Sequence, residues 1–356
     1  MLWFLPIERL EERYTVMTSD ALWKEFEKSF RVGTIYASRI RTDIRNGVFL
    51  DYSDTNFFKM GQLQEVARLF DARGIKNGDI FFVEDLWFPG LQSIKYMAML
   101  YNIDVKIAGI MHAGSWTDSD IVAKMRPWAR PFEESIFKMC DVVFVGSQFH
   151  KQDIQQKFRF TDEVFIEATG LPFSPEFINK TAKIAPYALR SSKEVIFPFR
   201  PHLEKGIKEF NDLVEMFAPK GFTFILPTFR DKLEFDDARE KERTMEWAAQ
   251  EFVRLEMNVS KARLYSLMRG AGIVFSAAQQ ENYGYAVLEA VYLGCTPVLP
   301  NRLSYKEFFE EKYRYNSMSE AFGLVEKYAK DPDSCSRVAE SHSNNVGNIR
   351  CALQAL

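Results

Sequence analysis

Cysteine is scarce in this chain of 356 residues, which has four, at Cys140, Cys295, Cys335 and Cys351. Their spacing suits no metal site, and three of them lie in or beside apolar runs or helical patterns, so reduced thiols in a cytoplasmic protein are expected. A large charge of one sign is also missing. The net charge of −3 argues against a protein that coats nucleic acid without specificity, and it leaves room for a local basic patch. No apolar run approaches membrane-spanning length, and without a basic amphipathic helix no stable membrane association is expected. The opening Met1-Leu-Trp-Phe-Leu-Pro-Ile-Glu8 lacks a basic region and reads as a buried strand rather than a signal peptide. No internal repeat or low-complexity tract stands out.

What is present is alternation. A hydrophobic content of 47% over this length is ample for two cores, and strand-like runs alternate with amphipathic segments from end to end. That is the pattern of the α/β class, a parallel sheet wrapped by helices. In the first half the strands are expected at 2–5, 33–37, 80–83, 105–111, 142–145 and 164–168, with helices at 19–29, 60–73, 90–101, 128–139 and 149–158. The second half repeats the logic with strands at 195–199, 223–227, 272–276 and 296–299. We therefore read two Rossmann-like domains facing across a cleft, at 1–180 and 193–334. A linker of mixed polarity spans 181–192, and the tail at 335–356 is polar, then weakly helical, crossing back to the first domain. The charge-dense run from Asp231 to Arg243 reads as a solvated helix face, and His150 and His342 read as surface residues.

In an open parallel sheet, ligands bind beyond the carboxyl ends of the strands, and the residues there are unusually polar. Glu84 and Asp85 follow one strand, His112-Ala-Gly-Ser115 another, and Gly146 and Ser147 a third. In the second half Arg200 follows one strand, Glu281 another at a short distance, and Asn301 and Arg302 the last. The most informative stretch is Glu281-Asn-Tyr-Gly-Tyr-Ala-Val-Leu-Glu289. It lies between two β-rich runs, so Gly284 falls where a helix opens and its unpaired N–H groups face the sheet edge, where anionic groups are held. Carboxylates on either side suit a phosphate that carries hydroxyl-rich groups, because ionised carboxylates accept from sugar hydroxyls. A nucleotide-sugar fits. In Phe197-Pro-Phe-Arg200-Pro-His-Leu-Glu-Lys205-Gly206, two cations leave a strand and precede a helix, placed to meet one diphosphate. Alone, that segment reads as a capped helix with two solvated cations.

Taken with the lead-in Leu264-Tyr-Ser-Leu-Met-Arg-Gly-Ala-Gly-Ile-Val-Phe-Ser276 and the ending at Gly294 and Pro297, these motifs resemble the C-terminal domain of a GT-B glycosyltransferase of the retaining, glycogen-synthase-like group (family 4/group 1). The resemblance covers roughly residues 195–305, with three motifs in register. It implies that Arg200 and Lys205 bind the donor's diphosphate and that Glu281 holds hydroxyls of the transferred sugar. The amides near Tyr283 and Gly284 would lie close to the sugar and phosphate, Glu289 would hold the ribose, and His112 would line the donor sugar. Members of the group generally lack an obvious protein nucleophile, which implies front-face displacement assisted by the leaving phosphate, with no metal and no other cofactor. The segment from Glu289 to Tyr305 is also similar to the transferases that mannosylate queuosine in tRNA.

Two features depart from the group. Leu5-Pro-Ile-Glu-Arg-Leu-Glu-Glu-Arg13 replaces its N-terminal glycine-rich loop, and Thr228-Phe-Arg230 stands where a glycine-rich turn is usual. Asp118-Ser-Asp120 has the shape of the acidic metal motif of the other large glycosyltransferase fold, but it follows a strand in a polar turn and is expected to cap a helix. Glu84 and Asp85 are either a base for the acceptor hydroxyl or a strand-end turn. With Ser115 they make up the acceptor side, while Ser147 is grouped with the donor residues. Arg39, Arg41 and Arg45, with Lys124, Arg126, Trp128 and Arg130, would form a basic, aromatic rim suited to a nucleic-acid strand, or else ordinary solvated surface. The acceptor favoured on this basis is a hydroxylated base in DNA or RNA, with a small metabolite or protein next. A nucleotide-sugar epimerase and a non-catalytic binding module are the alternatives from other classes.

Overall fold

Fully buried apolar runs become parallel strands throughout the chain, because a strand covered on both faces reads as a continuous hydrophobic run rather than an alternating one. The computed structural model describes residues 1–10, 13–37, 54–158, 164–186, 189–333 and 335–356. These divide into two units, Met1–Phe173 with Asn344–Leu356, and Ser174–Ser343.

The N-terminal unit runs β1 (Leu2–Leu5), α1 (Thr15–Phe26), β2 (Val32–Thr34), α2 (Asp54–Asp71), β3 (Asp79–Val83), α3 (Gln92–Leu100), β4 (Val105–Ile110), α4 (Arg126–Met139), β5 (Val142–Val145), α5 (Gln148–Lys157) and β6 (Ile166–Ala168). Its six strands are parallel in the order β2-β1-β3-β4-β5-β6. From β1 the chain moves outward to β2 and then returns to place β3 on the other side of β1. The sheet therefore changes direction between β1 and β3, the kind of place where the loops part and a crevice forms. A core that includes Phe81, Val83, Ile107, Val143 and Phe137 lies against one face of this sheet.

The second unit runs α6 (Pro175–Ala182), β7 (Ser191–Ile196), α7 (Ile207–Phe217), β8 (Thr223–Pro227), α8 (Ala238–Ala249), β9 (Val253–Glu256), α9 (Lys261–Gly270), β10 (Ala271–Phe275), α10 (Tyr285–Tyr292), β11 (Thr296–Pro300), α11 (Tyr305–Phe308), β12 (Arg314–Tyr315), α12 (Met318–Lys330) and α13 (Ser336–Ser341). Its parallel order is β12-β11-β10-β7-β8-β9, with the change of direction between β7 and β10. The chain then returns to the first unit, where α14 (Asn345–Gln354) packs on α1. Arg350 Nε donates to Glu25 at 2.9 Å, and Asn345 Nδ2 donates to the Leu171 carbonyl at 2.9 Å.

Several expectations need correction. β9 and β12 were not foreseen: β9 carries charges at Arg254 and Glu256 on a sheet edge, and β12 is two residues long, so neither shows a period. His150 and His342 are buried, at 1% and 8% exposure. His150 sits in the first turn of α5 against the Trp116 ring, and His342 packs on Phe308. Burial lowers their imidazoles to about 3 and about 4 respectively. The charged run 231–243 is more than a solvated face. Asp236 accepts from the Leu203 amide at 2.9 Å, Asp237 caps α8, and Arg243 binds Asp212, Glu215 and Glu240.

Candidate functional site

At the switch point of the second sheet, the loops after β7 and β10 are sewn together. The Gln279 amide donates to the Glu204 carbonyl at 2.8 Å, and Lys205 Nζ donates to the Gln280 carbonyl at 2.8 Å. This approach needs glycine at position 206. Its φ is +86°, and a Cβ there would lie 2.4 Å from that of Ala277, so any other residue would force the loops apart. Arg302, just past β11, braces the same loop by donating to the Ala277 and Ala278 carbonyls.

Charges gather on this seam. Lys205 Nζ is 3.5 Å from Glu281 and 3.6 Å from Glu204, and Glu204 also pairs with Arg200 at 2.5 Å. Both cations therefore belong to one cluster with Glu204 between them, a carboxylate that the sequence reading did not single out. Arg200 is half exposed, so its pair with Glu204 is open to exchange with an incoming anion. Gly284 opens α10 with φ +89°, and its amide donates to Glu281 Oε1 at 3.0 Å. Glu281 thus stands where an anion would sit at the start of α10. Tyr283 is buried and its hydroxyl lies 2.9 Å from His342 Nδ1, which fixes the residue beside Gly284. Glu289 faces inward at 2% exposure and binds Lys261 and Tyr265.

The edge of the N-terminal sheet is organised around inward-facing carboxylates. Glu84 follows β3 and is fully buried, accepting from the Ile7 amide at 3.0 Å and the Ser19 hydroxyl at 2.6 Å. Thr18 Oγ1 is 2.5 Å from its other oxygen and 3.2 Å from the Thr15 carbonyl. Burial pushes the Glu84 carboxyl up to about 7, against the hydrogen bonds of Ser19, Thr18 and Ile7. It joins the loop after β1 to α1 and is a tie within the switch point, not an exposed base. Asp85 binds the buried Lys59 at 2.8 Å and the Trp87 amide at 3.1 Å. His112 Nε2 is 2.9 Å from the Glu84 carbonyl, beside the Tyr14 ring, and burial lowers its pKa against the pull of Asp85. Ser115 is buried, and its amide and hydroxyl both donate to Glu133 at 2.6 Å. Ser147 caps α5 by accepting from the His150 amide.

Asp120 caps a short 3-10 turn, and Asp118 pairs with Arg126. On the proposed rim, Arg126 also donates to the Ser115 carbonyl, Arg130 lies over the Phe158 ring, and Trp128 is 53% exposed. Arg39, Arg41 and Arg45 lie outside the described residues. Sequence reasoning passed over Glu204, Lys261, Tyr265, Glu133 and Lys59. Of these only Lys261 carried a signal, as a cation at the start of a helix, where acids are favoured.

No protein-family model matches the chain. The tRNA-queuosine α-mannosyltransferase of Drosophila melanogaster is 43% identical over 54 residues, which is 15% of this chain and 14% of that protein. Among solved structures, sucrose-phosphate synthase from Thermosynechococcus elongatus superposes with a TM-score of 0.65 at 10% identity, over 99% of this chain and 96% of its own. HepE from Anabaena in complex with UDP-glucose gives 0.58 at 12% identity, over 99% and 98%. A variant of S. aureus TarM in complex with fondaparinux, α-GlcNAc-glycerol and UDP gives 0.53 at 14% identity, over 82% of this chain and 56% of that one. No helix among the described residues is long and apolar enough to cross a membrane. With two parallel six-stranded α/β units and these neighbours, the chain has the GT-B fold of two Rossmann-like domains.

Proposed function

We propose that the protein is a glycosyltransferase that moves a hexose or pentose from a nucleotide-sugar to an acceptor hydroxyl, with retention of anomeric configuration and without a metal. The observation that carries this reading is the meeting of Lys205, Glu281 and the Gly284 amide at the switch point of the second sheet. Arg200 and Lys205 bind the diphosphate and stabilise the negative charge that develops on it as the glycosidic C–O bond breaks. Glu281 accepts from hydroxyls of the transferred sugar, the amides at Tyr283 and Gly284 bind sugar and phosphate, and Glu289 serves the ribose. These carboxylates orient rather than attack, so the leaving phosphate takes the acceptor's proton as the new bond forms on the same face.

In the N-terminal unit His112 lines the sugar and Asp85 serves the acceptor. Glu84, Ser115 and Ser147 hold the loops that carry them. The favoured acceptor is a hydroxylated base in DNA or RNA. The support is the exposed Trp128, a platform on which a base can stack, together with the partial identity to a tRNA-queuosine α-mannosyltransferase.

A thermal-shift screen against UDP, GDP, ADP, CMP and their common sugars tests the donor half of this reading, since a ligand that binds only the folded state raises its stability. A shift with one nucleotide family is expected, followed by nucleotide release when an acceptor oligonucleotide is added. Saturation with no release under any acceptor would leave a binding module, and interconversion of the donor's sugar would reveal an epimerase.

A further inference from the structure

The buried pair behind α10 is built in an unexpected way. Lys261 Nζ lies 2.9 Å from Glu289, whose other partner is the Tyr265 hydroxyl at 2.8 Å, and the ammonium packs over the Tyr265 ring at 5.0 Å. Lys261 is the first residue of α9, where the helix dipole opposes a cation. Its side chain is only 10% exposed, so desolvation adds a second cost. The ammonium does neutralise the buried Glu289 carboxylate, but a neutral donor could bond it without either cost, so folding leaves room for a further reason.

Its surroundings supply one. Lys261 follows the loop after β9, at the carboxyl edge of the sheet, and that loop is fastened to the one after β8. The Thr228 amide donates to the Glu256 carbonyl at 2.8 Å, the Asn258 amide to Arg230 at 2.9 Å and the Val259 amide to Thr228 at 3.0 Å. The loops after β8 and β9 therefore form one fixed ledge that ends at Lys261 and its partner Glu289. An ammonium only donates and a carboxylate only accepts, whereas each hydroxyl of a vicinal diol does both. Such a pair is complementary to a diol in a way that a lone carboxylate is not.

We infer that Lys261 is a specificity-determining residue that reads the ribose of a nucleoside diphosphate together with Glu289, the ammonium donating to the ribose oxygens while the carboxylate accepts from the hydroxyls. The inference rests on the donor reading above. Removing the 2′-hydroxyl leaves half of the pair's complement unmet, so the site discriminates ribose from deoxyribose.

The test is calorimetric titration of the full chain with UDP and GDP and with their 2′-deoxy counterparts. For the wild type, the ribonucleotide of the bound base is expected to bind about tenfold or more tighter than the deoxynucleotide. K261M should weaken the ribonucleotide by about the same factor and leave the deoxynucleotide nearly unchanged, so that the ratio collapses. Y265F removes the other partner of Glu289 without touching the ammonium and should keep the ratio. If K261M does not fold, K261Q, whose amide can still donate to Glu289, is read in its place with the same expected fall. An unchanged ratio in the folded lysine variant overturns the inference, as does an equal collapse in Y265F, which would mean that the lysine acts only by holding Glu289. A wild type that binds neither UDP nor GDP, nor any other nucleotide in the screen, overturns the donor reading itself.

Discussion

The two sheets reverse direction at equivalent points, β1/β3 in one and β7/β10 in the other, yet the chain equips those points differently. In the N-terminal unit the carboxylates turn inward. Glu84 and Glu133 are fully buried and saturated by backbone amides and by Thr18, Ser19, Ser115 and Trp87. In the second unit the edge charges Lys205 and Glu281 keep 17% and 19% of their side chains exposed, and Arg200 keeps 50%. They contact one another at salt-bridge distance and remain within reach of water. Buried, fully bonded carboxylates define loop positions, since removing a partner leaves an uncompensated polar group. Partly exposed ion pairs cost little to rearrange, so they can exchange partners with a ligand. One edge is therefore built chiefly to hold shape, and the other to be re-paired.

That contrast predicts where mutations act. The largest effect is expected from Lys205→Ala and Glu281→Ala, each lowering kcat/KM for transfer by about 2–4 kcal/mol of barrier with little change in melting temperature. Wild-type rates in well-folded variants would remove these residues from the site.

Next comes pH. Glu84 has a folded pKa of about 7 against an ordinary 4.5, so the native state holds its proton more tightly than the unfolded chain does. The stabilisation is complete below about pH 4.5 and is lost as pH rises through about 7, a change of about 3 kcal/mol from this group. The bonding pattern agrees: a protonated carboxyl can donate to Thr18 Oγ1, freeing that hydroxyl to donate to Thr15. The hydrogen bonds of Ser19, Thr18 and Ile7 oppose this shift most, then the charge of Arg9, which pairs with Asp20. Asp85 and His112 lie on the neighbouring loops and Lys59 on α2. Denaturant midpoints from pH 4.5 to 8 should fall in the wild type and stay flatter in Glu84→Gln. Parallel curves would show the carboxyl to be ionised throughout.

Glu133→Ala sharpens the contrast from the structural side. It should lower stability by about 2–4 kcal/mol by orphaning Ser115 and Trp87, as read by chemical denaturation, while nucleotide affinity in the folded fraction stays put. The smallest effect is expected from Asp236→Ala, which frees the Leu203 amide at an exposed position. About 0.5–1.5 kcal/mol of stability should be lost, with a modest rise in KM for the donor because the loop bearing Lys205 is looser. A change in kcat alone would contradict that account.

Much of this architecture was legible in the chain. Runs such as Val142–Val145 and Thr296–Pro300 are apolar over their whole length apart from a terminal threonine, and glycines at 206 and 284 mark turns that the backbone makes at positive φ. Local chemistry determined these, because strand burial and helix opening are written in consecutive residues. The residues later joined at the second switch point could be nominated from their places after strands. Their partners could not. Glu204 between two cations, Lys261 on Glu289, Glu133 under Ser115 and Lys59 on Asp85 are pairings between segments far apart or differently turned, and charge in a sequence does not say which side of a helix faces the core. Burial decided the rest: His150 and His342 look like surface residues until Trp116 and Phe308 close over them, and Glu84 looks like an exposed acid until α1 folds down onto it. The sequence by itself determined the order of strands and helices and the chemical types at the sheet edges, through local patterning. Which of those groups remain open to a ligand, and which are consumed in holding the fold, was decided only in three dimensions, because desolvation and hydrogen-bond partners belong to the packed chain.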